Sequence, residues 1–114
     1  MKVVHLTDVP AEPLESPGAE KVKIRWLIGP EDDPPNFYLR WFEVEAGGCS
    51  PHHTHDYEHE VFVLEGEGRV LHERGEKQIG PGSAVLVQPG EKHQFQNSGS
   101  GPLCFLCLVP KTAG

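Results

Sequence analysis

The chain has 114 residues and a net charge of −7 at neutral pH, from 10 lysines and arginines against 17 acidic residues. This length has room for one domain with a single packed core. Nucleic acids and anionic membranes attract clustered lysine and arginine, so the acidic balance and the scattered basic residues argue against either as a partner. The 13 glycines and 11 prolines favour short strands and turns over helices.

The sequence also bears on the compartment. No stretch approaches the roughly 20 apolar residues that span a bilayer, and the first residues lack the apolar core of a signal peptide. Cys49, Cys104 and Cys107 are an odd number without a disulfide-framework spacing, which is typical of a reducing compartment. We therefore expect a cytoplasmic protein with no membrane partner.

The chain is punctuated into short segments. Residues 1–20 are rich in proline and glutamate and show no sustained periodicity, so we predict an N-terminal arm. Beyond it, alternating or apolar segments are separated by turn sequences. The predicted strands cover residues 21–28, 37–45, 58–64, 69–73, 76–79, 83–88, 93–96 and 103–109. Residues 46–48 predict a turn, and residues 83–88 are apolar enough for both faces of their strand to be covered.

The pattern of elements indicates the fold class. No segment of ten or more residues carries an apolar stripe with the 3.6-residue period of a helix. Many short strands at regular spacing are typical of a β-sandwich or a small barrel. We predict a single all-β domain over residues 21–114, preceded by the arm.

Three histidines stand at H-x-H-x-x-x-H spacing, namely His53, His55 and His59. Side chains two apart in a strand share a face, so His53 and His55 point the same way, about 7 Å apart. His59 has the parity of Val61 and Val63, which places it on the apolar face of its strand. Imidazoles that converge in an apolar interior suit a metal ion better than mutual hydrogen bonding.

A fourth histidine completes this pattern later in the chain. His93 follows the turn sequence PGEK and begins another alternating segment. A histidine at the entrance of a second strand is what a one-sided cluster needs to form a site across a barrel. His52 has the opposite parity to His53, so we expect it outside the site.

Two motifs resemble those of a known family. The pattern G-x4-H-x-H-x3-H over residues 48–59, followed by VLEG, resembles the first cupin motif. The pattern G-x6-P-G-x2-H-x3-N over residues 82–97 resembles the second. The chain as a whole is similar to small single-domain manganese-binding cupins with a four-histidine site. The resemblance implies a double-stranded β-helix, a jelly-roll-like barrel that is usually a homodimer, with the metal inside it.

The resemblance also implies the ligands. His53 and His55 match the first two cupin ligands, and His93 matches the ligand of the second motif. His59 stands where most cupins have a glutamate. Glu60 would need one more residue of spacing and faces the other way in a regular strand, although a β-bulge would reverse that. Manganese is the ion that the resemblance implies, and imidazole also suits Fe, Ni, Cu and Zn.

Three further residues are candidates near the site. Cys107 has the parity of Phe105 and Val109, and the family match implies that it faces the interior as a pocket-lining residue and a catalytic candidate. The alternative for Cys107 is a small buried hydrophobe. Arg40 would bind a carboxylate substrate if it faced inward, but its alternation does not settle the face. Tyr57 is either a gate or an exposed loop residue.

These features support three functions. The leading hypothesis is a metal-dependent oxidoreductase that brings dioxygen or peroxide together with an aromatic or enolic small molecule. The alternatives are a metal-assisted isomerase or lyase for a sugar or keto acid, and a non-catalytic binding module. We also expect a homodimer, because the arm can lie along the sheet edge of a partner.

Overall fold

Nine strands and three short 3-10 helices make up the computed structural model, which describes residues 1–113. The strands are β1 (Glu12–Pro13), β2 (Glu20–Ile28), β3 (Phe37–Cys49), β4 (His59–Glu65), β5 (Gly68–His72), β6 (Gly75–Ile79), β7 (Ala84–Val87), β8 (His93–Asn97) and β9 (Leu103–Pro110). The 3-10 helices cover Leu6–Asp8, Pro30–Asp32 and Lys111–Ala113. None of these helices has the length and apolarity that a membrane crossing requires.

The strands form one antiparallel sheet. Its order is β6-β5-β8-β3-β9-β4-β7, with β2 added to β3 and β1 added to β2. The sheet curls around a single apolar core, and strands such as β4 bury one face and expose the other. This architecture confirms the predicted all-β, jelly-roll-like class. The predicted strands at residues 21–28, 93–96 and 103–109 match β2, β8 and β9 to within one residue.

The core consists of the inward side chains of facing strands. Val44, Val63 and Leu103 are fully buried. The ring of Phe105 stacks on Phe42 at a centroid distance of 5.4 Å. Burying an apolar side chain of this size stabilises the fold by about 1.5–3 kcal/mol. Phe42 and Phe105 thus line the inside of the barrel below its open end.

The prediction of a turn at residues 46–48 is wrong, because strand β3 runs through these residues. The strand continues to Cys49, and Gly47 has a φ of +80°. The pairing of β3 with β2 shifts register between Glu20, opposite Cys49, and Val22, opposite Val44. A β-bulge therefore bends the strand without ending it, which a glycine at positive φ permits. The bend lets Cys49 pair with β8 and brings the following chain to the barrel mouth.

The prediction that residues 83–88 are covered on both faces is wrong. Val87 is buried, but Leu86 is 52% exposed. Strand β7 ends the sheet order, and its outer face continues the exposed face of β4, where Phe62 is also exposed. An apolar run of four residues fits a strand with either one or two covered faces, so composition alone cannot distinguish them.

The arm lies along its own chain. Glu12 and Pro13 of β1 pair with β2, and the N–H of Leu14 donates to the carbonyl of Val22 at 2.9 Å. The Arg25 guanidinium donates to two arm carbonyls, those of Leu6 and Val9. Where the arm ends and the barrel domain begins, at residues 20 and 21, stays a prediction, and residue 114 lies outside the described residues.

The Asn97 side chain, at the end of β8, joins the following loop to β3 by hydrogen bonds. Its Nδ2 donates to the carbonyls of Val44 and Gly101 at 2.8 Å each, and its Oδ1 accepts from the N–H of Gly99. We expect Asn97→Ala to lower the free energy of unfolding by about 2–4 kcal/mol, because the buried Asn97 side chain makes three hydrogen bonds to the backbone. Urea denaturation followed by tryptophan fluorescence measures this.

The matched control is Asn36→Ala, since Asn36 is exposed. Its effect should stay within about 0.5 kcal/mol. A loss below about 1 kcal/mol in Asn97→Ala would show that water replaces the three hydrogen bonds.

Candidate metal site

Strand ends bring the four histidines to one end of the barrel. His59 begins β4 and His93 begins β8. His53 and His93 form an isolated β-bridge, in which each backbone N–H donates to the other's carbonyl, at 3.2 and 3.1 Å. His55 lies in the loop before β4, where its carbonyl accepts from the N–H of Gly90 at 2.7 Å. The two motifs are thus joined by backbone hydrogen bonds.

The imidazoles form a compact cluster. The ring centroid of His53 lies 5.1 Å from those of His55 and His93, and the His55 and His93 centroids are 5.0 Å apart. His53, His55 and His93 each offer a ring nitrogen within 4.8 Å of the others. One ion with metal–nitrogen bonds of about 2.0–2.1 Å can reach nitrogens spaced in this way after small adjustments.

Two of these rings are oriented by backbone carbonyls. Nδ1 of His55 lies 2.9 Å from the carbonyl of Tyr57, and Nδ1 of His93 lies 2.9 Å from the carbonyl of Glu91. An N–H at Nδ1 donates in each case, which leaves the Nε2 lone pair for a ligand. The Tyr57 ring also stacks on His55 at 4.0 Å. Tyr57 therefore holds His55 rather than standing free in the loop.

His59 occupies the inner side of the cluster. Its ring stacks on His55 at a centroid distance of 4.2 Å, although its nitrogens do not belong to the close set of three. Nδ1 of His59 lies 3.4 Å from Sγ of Cys107. Its Nε2 is buried and has no hydrogen-bond partner among residues 1–113. Glu60 is exposed on the opposite face, so the structure has no bulge that turns it inward.

Burial favours the neutral form of three of these histidines, His53, His59 and His93. Burial lowers the pKa of His59 to about 2, with His55 and Arg40 acting in the same direction. Burial also lowers the pKa of His53 and of His93, and the Glu91 carbonyl partly opposes the shift at His93. Neutral imidazole is the form that binds metal.

The donor set fits a divalent transition metal ion. Nε2 of His55 and Nε2 of His59 are both buried without a partner among residues 1–113. A buried polar atom without a hydrogen bond costs about 1–3 kcal/mol, so two of them at one site need a ligand. A metal ion can accept the lone pairs of all the converging nitrogens at once, whereas one water molecule has only two hydrogens to donate.

A cavity of about 130 Å³ lies beneath the histidines. Phe42, Phe95 and Phe105 line it, and Leu14 and Ser16 of the arm add to its wall. A cavity of similar size in another protein holds benzene. The space therefore suits one small ring or a short folded chain beside the candidate metal site.

Cys107 and Arg40 line the same cavity. Sγ of Cys107 lies 3.1 Å from Nη2 of Arg40, in addition to its contact with His59. Burial raises the pKa of the Cys107 thiol, and the Arg40 guanidinium opposes that shift. Cys107 is therefore a buried thiol that lines the cavity, and a catalytic role for it stays a prediction.

Other histidines lie away from the cluster. His52 is exposed and does not belong to the close set of three, and His5 accepts from the N–H of Thr7 beside the first 3-10 helix. The residues that sequence reasoning missed are Leu14 and Ser16. No motif marks them, since their place depends on how the arm folds back.

The two motifs belong to one family. The model of the cupin domain matches residues 40–109, which is more than half of the chain. The chain is a cupin. Family membership confirms what the two motifs resemble.

Solved structures of similar proteins share this fold. The polyketide cyclase RemF from Streptomyces resistomycificus is 39% identical, with a TM-score of 0.92, over 97% of this cupin and 80% of that chain. A cupin-2 domain protein from Rhodospirillum rubrum is 28% identical, with a TM-score of 0.79, over 96% of this cupin and 74% of that chain. The shared architecture therefore includes the arm as well as the barrel.

A curated relative matches only in part. The 1-methylthio-D-xylulose 5-phosphate methylsulfurylase of Rhodospirillum rubrum is 35% identical over 71 residues, which are 62% of this cupin and 46% of the relative. The chain thus spans about half the length of that protein. A match over this share of the relative does not assign the reaction.

Proposed function

We propose that this cupin is a metal-dependent enzyme that cyclises a small polyketide-type compound, that is, a chain of enolisable carbonyl groups. The observation that carries the proposal is that clustered histidines line one cavity together with three phenylalanines, and that one of them, His59, has a buried Nε2 without a partner among residues 1–113. The 39% identity with a polyketide cyclase over nearly the whole chain supports the choice of substrate.

We propose that all four histidines hold the ion: His53, His55, His59 and His93. The buried, unpartnered Nε2 of His59 supports its inclusion. Manganese is the proposed ion, and Fe, Ni, Cu and Zn suit the same ligands. A bound divalent ion would supply a Lewis acid, its charge undiminished by any carboxylate ligand, that polarises a carbonyl oxygen and favours the enol form.

The residues that line the cavity would shape the bound substrate and limit its contact with water. Phe42, Phe95 and Phe105 line the cavity, and an apolar lining favours a folded conjugated chain over an extended hydrated one. Holding two reacting carbons together replaces an improbable encounter in solution. Cys107 lies between His59 and Arg40 in the cavity wall and contacts both. Its small side chain leaves room for the ligand.

Oxidation of an aromatic or enolic molecule by dioxygen or peroxide is the second candidate. The observation that favours it is the all-imidazole donor set, which binds redox-active Mn, Fe and Cu as readily as Zn. A homodimer also stays proposed. Its support is the exposed apolar face of β4 and β7, with Phe62 and Leu86 at 45% and 52% exposure.

The test uses 2,4,6-heptanetrione, whose aldol cyclisation with loss of one water gives 5-methylresorcinol. We expect protein loaded with Zn²⁺ or Mn²⁺ to speed this reaction by about 100-fold or more over metal-free protein, the scale of a polarised carbonyl held in place. Mass spectrometry distinguishes loss of water from gain of oxygen, and an oxygen electrode follows dioxygen consumption.

His52→Ala is the control, because His52 lies outside the cluster and should keep the full rate. Turnover that consumes dioxygen and requires Mn²⁺ or Fe²⁺ would favour the oxidoreductase. Failure to form 5-methylresorcinol with any of these ions would contradict cyclisation.

A further inference from the structure

Arg40 points into the barrel. It lies between Tyr38 and Phe42 on the inward face of β3, and both neighbours are buried. Its backbone partner on β9 is Cys107, whose thiol is its side-chain partner as well. The register of β3 against β9 therefore places a guanidinium inside a curled sheet whose other buried residues are mostly apolar.

This guanidinium has no counter-ion among residues 1–113. The ion pairs of the described residues involve other cations, and no carboxylate lies within 4.0 Å of Arg40. Its Nε is buried and makes no hydrogen bond there, and its Nη2 reaches only the sulfur of Cys107, a weak acceptor. A half-buried charge without a counter-ion loses part of its hydration without compensation, so a bound anion would stabilise it.

Aromatic rings hold the side chain in place but do not neutralise it. The guanidinium carbon lies 5.5 Å from the Trp26 ring centroid and 5.0 Å from that of Phe42. Cation–π contacts of this kind contribute about 0.5–2 kcal/mol and orient the planar group. Arginine is always charged, and its rigid fork matches the two oxygens of a carboxylate or an enolised dicarbonyl.

Arg40 also shares its cavity with the candidate metal site. His53, His59 and His93 line the same space of about 130 Å³. Cys107 lies between the two groups, 3.1 Å from Arg40 Nη2 and 3.4 Å from His59 Nδ1. A small molecule in this cavity can therefore contact the guanidinium at one end and face the histidines at the other.

We propose that Arg40 is the anion-binding residue of this cavity and that the ligand is a small organic anion, a carboxylate or an enolate, held by a charge-assisted hydrogen bond from the guanidinium. The inference rests on the proposed function, since it names the charge of that substrate. An anion-binding residue makes the cavity prefer an anion to a neutral ligand of the same shape, whereas a purely apolar pocket would show no such preference.

The probes are salicylate and salicylamide, which have the same shape but differ in charge. Isothermal titration calorimetry with Zn²⁺-loaded protein gives both affinities. We expect Arg40→Met to weaken salicylate binding about 10- to 100-fold, the effect of losing a hydrogen bond to a charged group. Salicylamide binding should change by less than about threefold, because Met keeps most of the apolar stem.

Arg40→Lys is the conservative partner of this variant. It should recover part of the salicylate affinity, because it keeps the charge but loses the fork. Cys107→Ser should leave the ratio of salicylate to salicylamide affinity within about threefold of wild type, because the thiol is not the counter-ion. A structural role for Arg40 instead predicts a lower melting temperature in Arg40→Met. An anion-binding role predicts little change, because removing a half-buried charge without a counter-ion offsets the loss of the two cation–π contacts.

The outcomes are separable. Equal loss of salicylate and salicylamide binding in Arg40→Met, or no loss of either, would overturn the anion site while leaving metal content and cyclisation untouched. Loss of salicylate selectivity in Arg40→Met, together with no cyclisation of 2,4,6-heptanetrione by wild-type protein, would uphold the anion site and overturn the proposed reaction.

Discussion

Replacing His93 by alanine is expected to reduce the metal content of the purified protein from about one ion per chain to less than about a tenth of that. Loss of a residue that merely orients a metal ligand costs about 10- to 100-fold in affinity, and loss of a ligand costs more. His93 belongs to the close set of three nitrogens, and Glu91 holds its ring in place. Elemental analysis after desalting, with electron paramagnetic resonance for manganese, measures the content.

Two further histidine variants serve as comparisons for His93→Ala. His52→Ala removes an exposed histidine one residue before His53 and should keep the full content. His59→Ala tests the fourth ligand, and we expect it to lose metal as well, because Nε2 of His59 has no other partner among residues 1–113. Full metal content in His59→Ala would mean that only His53, His55 and His93 bind the ion. Full content in His93→Ala would contradict the site itself.

Replacing Gly66 by alanine is expected to lower the free energy of unfolding by more than about 3 kcal/mol, an effect reserved for severe local conflicts. Gly66 has a φ of +88°, and a Cβ there would lie 2.2 Å from the carbonyl oxygen of Pro102 and 2.8 Å from Cα of Leu103. Both are backbone atoms at the start of β9, so they cannot move aside cheaply. Because small domains hold only about 5–15 kcal/mol in total, much of the stability would be lost.

Gly82 offers a matched control. Its φ of +90° is nearly the same, but a Cβ there meets nothing within 4 Å. Gly82→Ala should cost only about 1–2 kcal/mol, the strain of a left-handed residue with a side chain. Urea denaturation of the two variants separates backbone strain from collision. Equal losses in the two variants would mean that the turn at Gly66 relaxes away from β9.

Much of the fold was accessible from the sequence. In β4, His59, Val61 and Val63 alternate with polar or exposed neighbours, and the structure buries all three. This alternation follows from the two-residue period of a strand, which needs no knowledge of the partner strand. The same period placed His59 inward and Glu60 outward.

The details that failed depend on neighbours in space. Residues 46–48 look like a turn, yet β3 passes through them as a bulge, because β2 and β8 both pair with that strand. The face of Arg40 was undecided, because its strand carries apolar residues on both sides. Only the position of β9 decides which side is the interior.

The sequence by itself determined the all-β class, the family and the candidate metal ligands, because these depend on periodicity and on motif spacing along a short stretch. Only the tertiary structure decided that Arg40, Cys107 and His59 form one chain of contacts beside the cavity. Those residues come from β3, β9 and β4, far apart in sequence. Their meeting depends on strand register and sheet curl, and both are set by long-range pairing rather than by local preference.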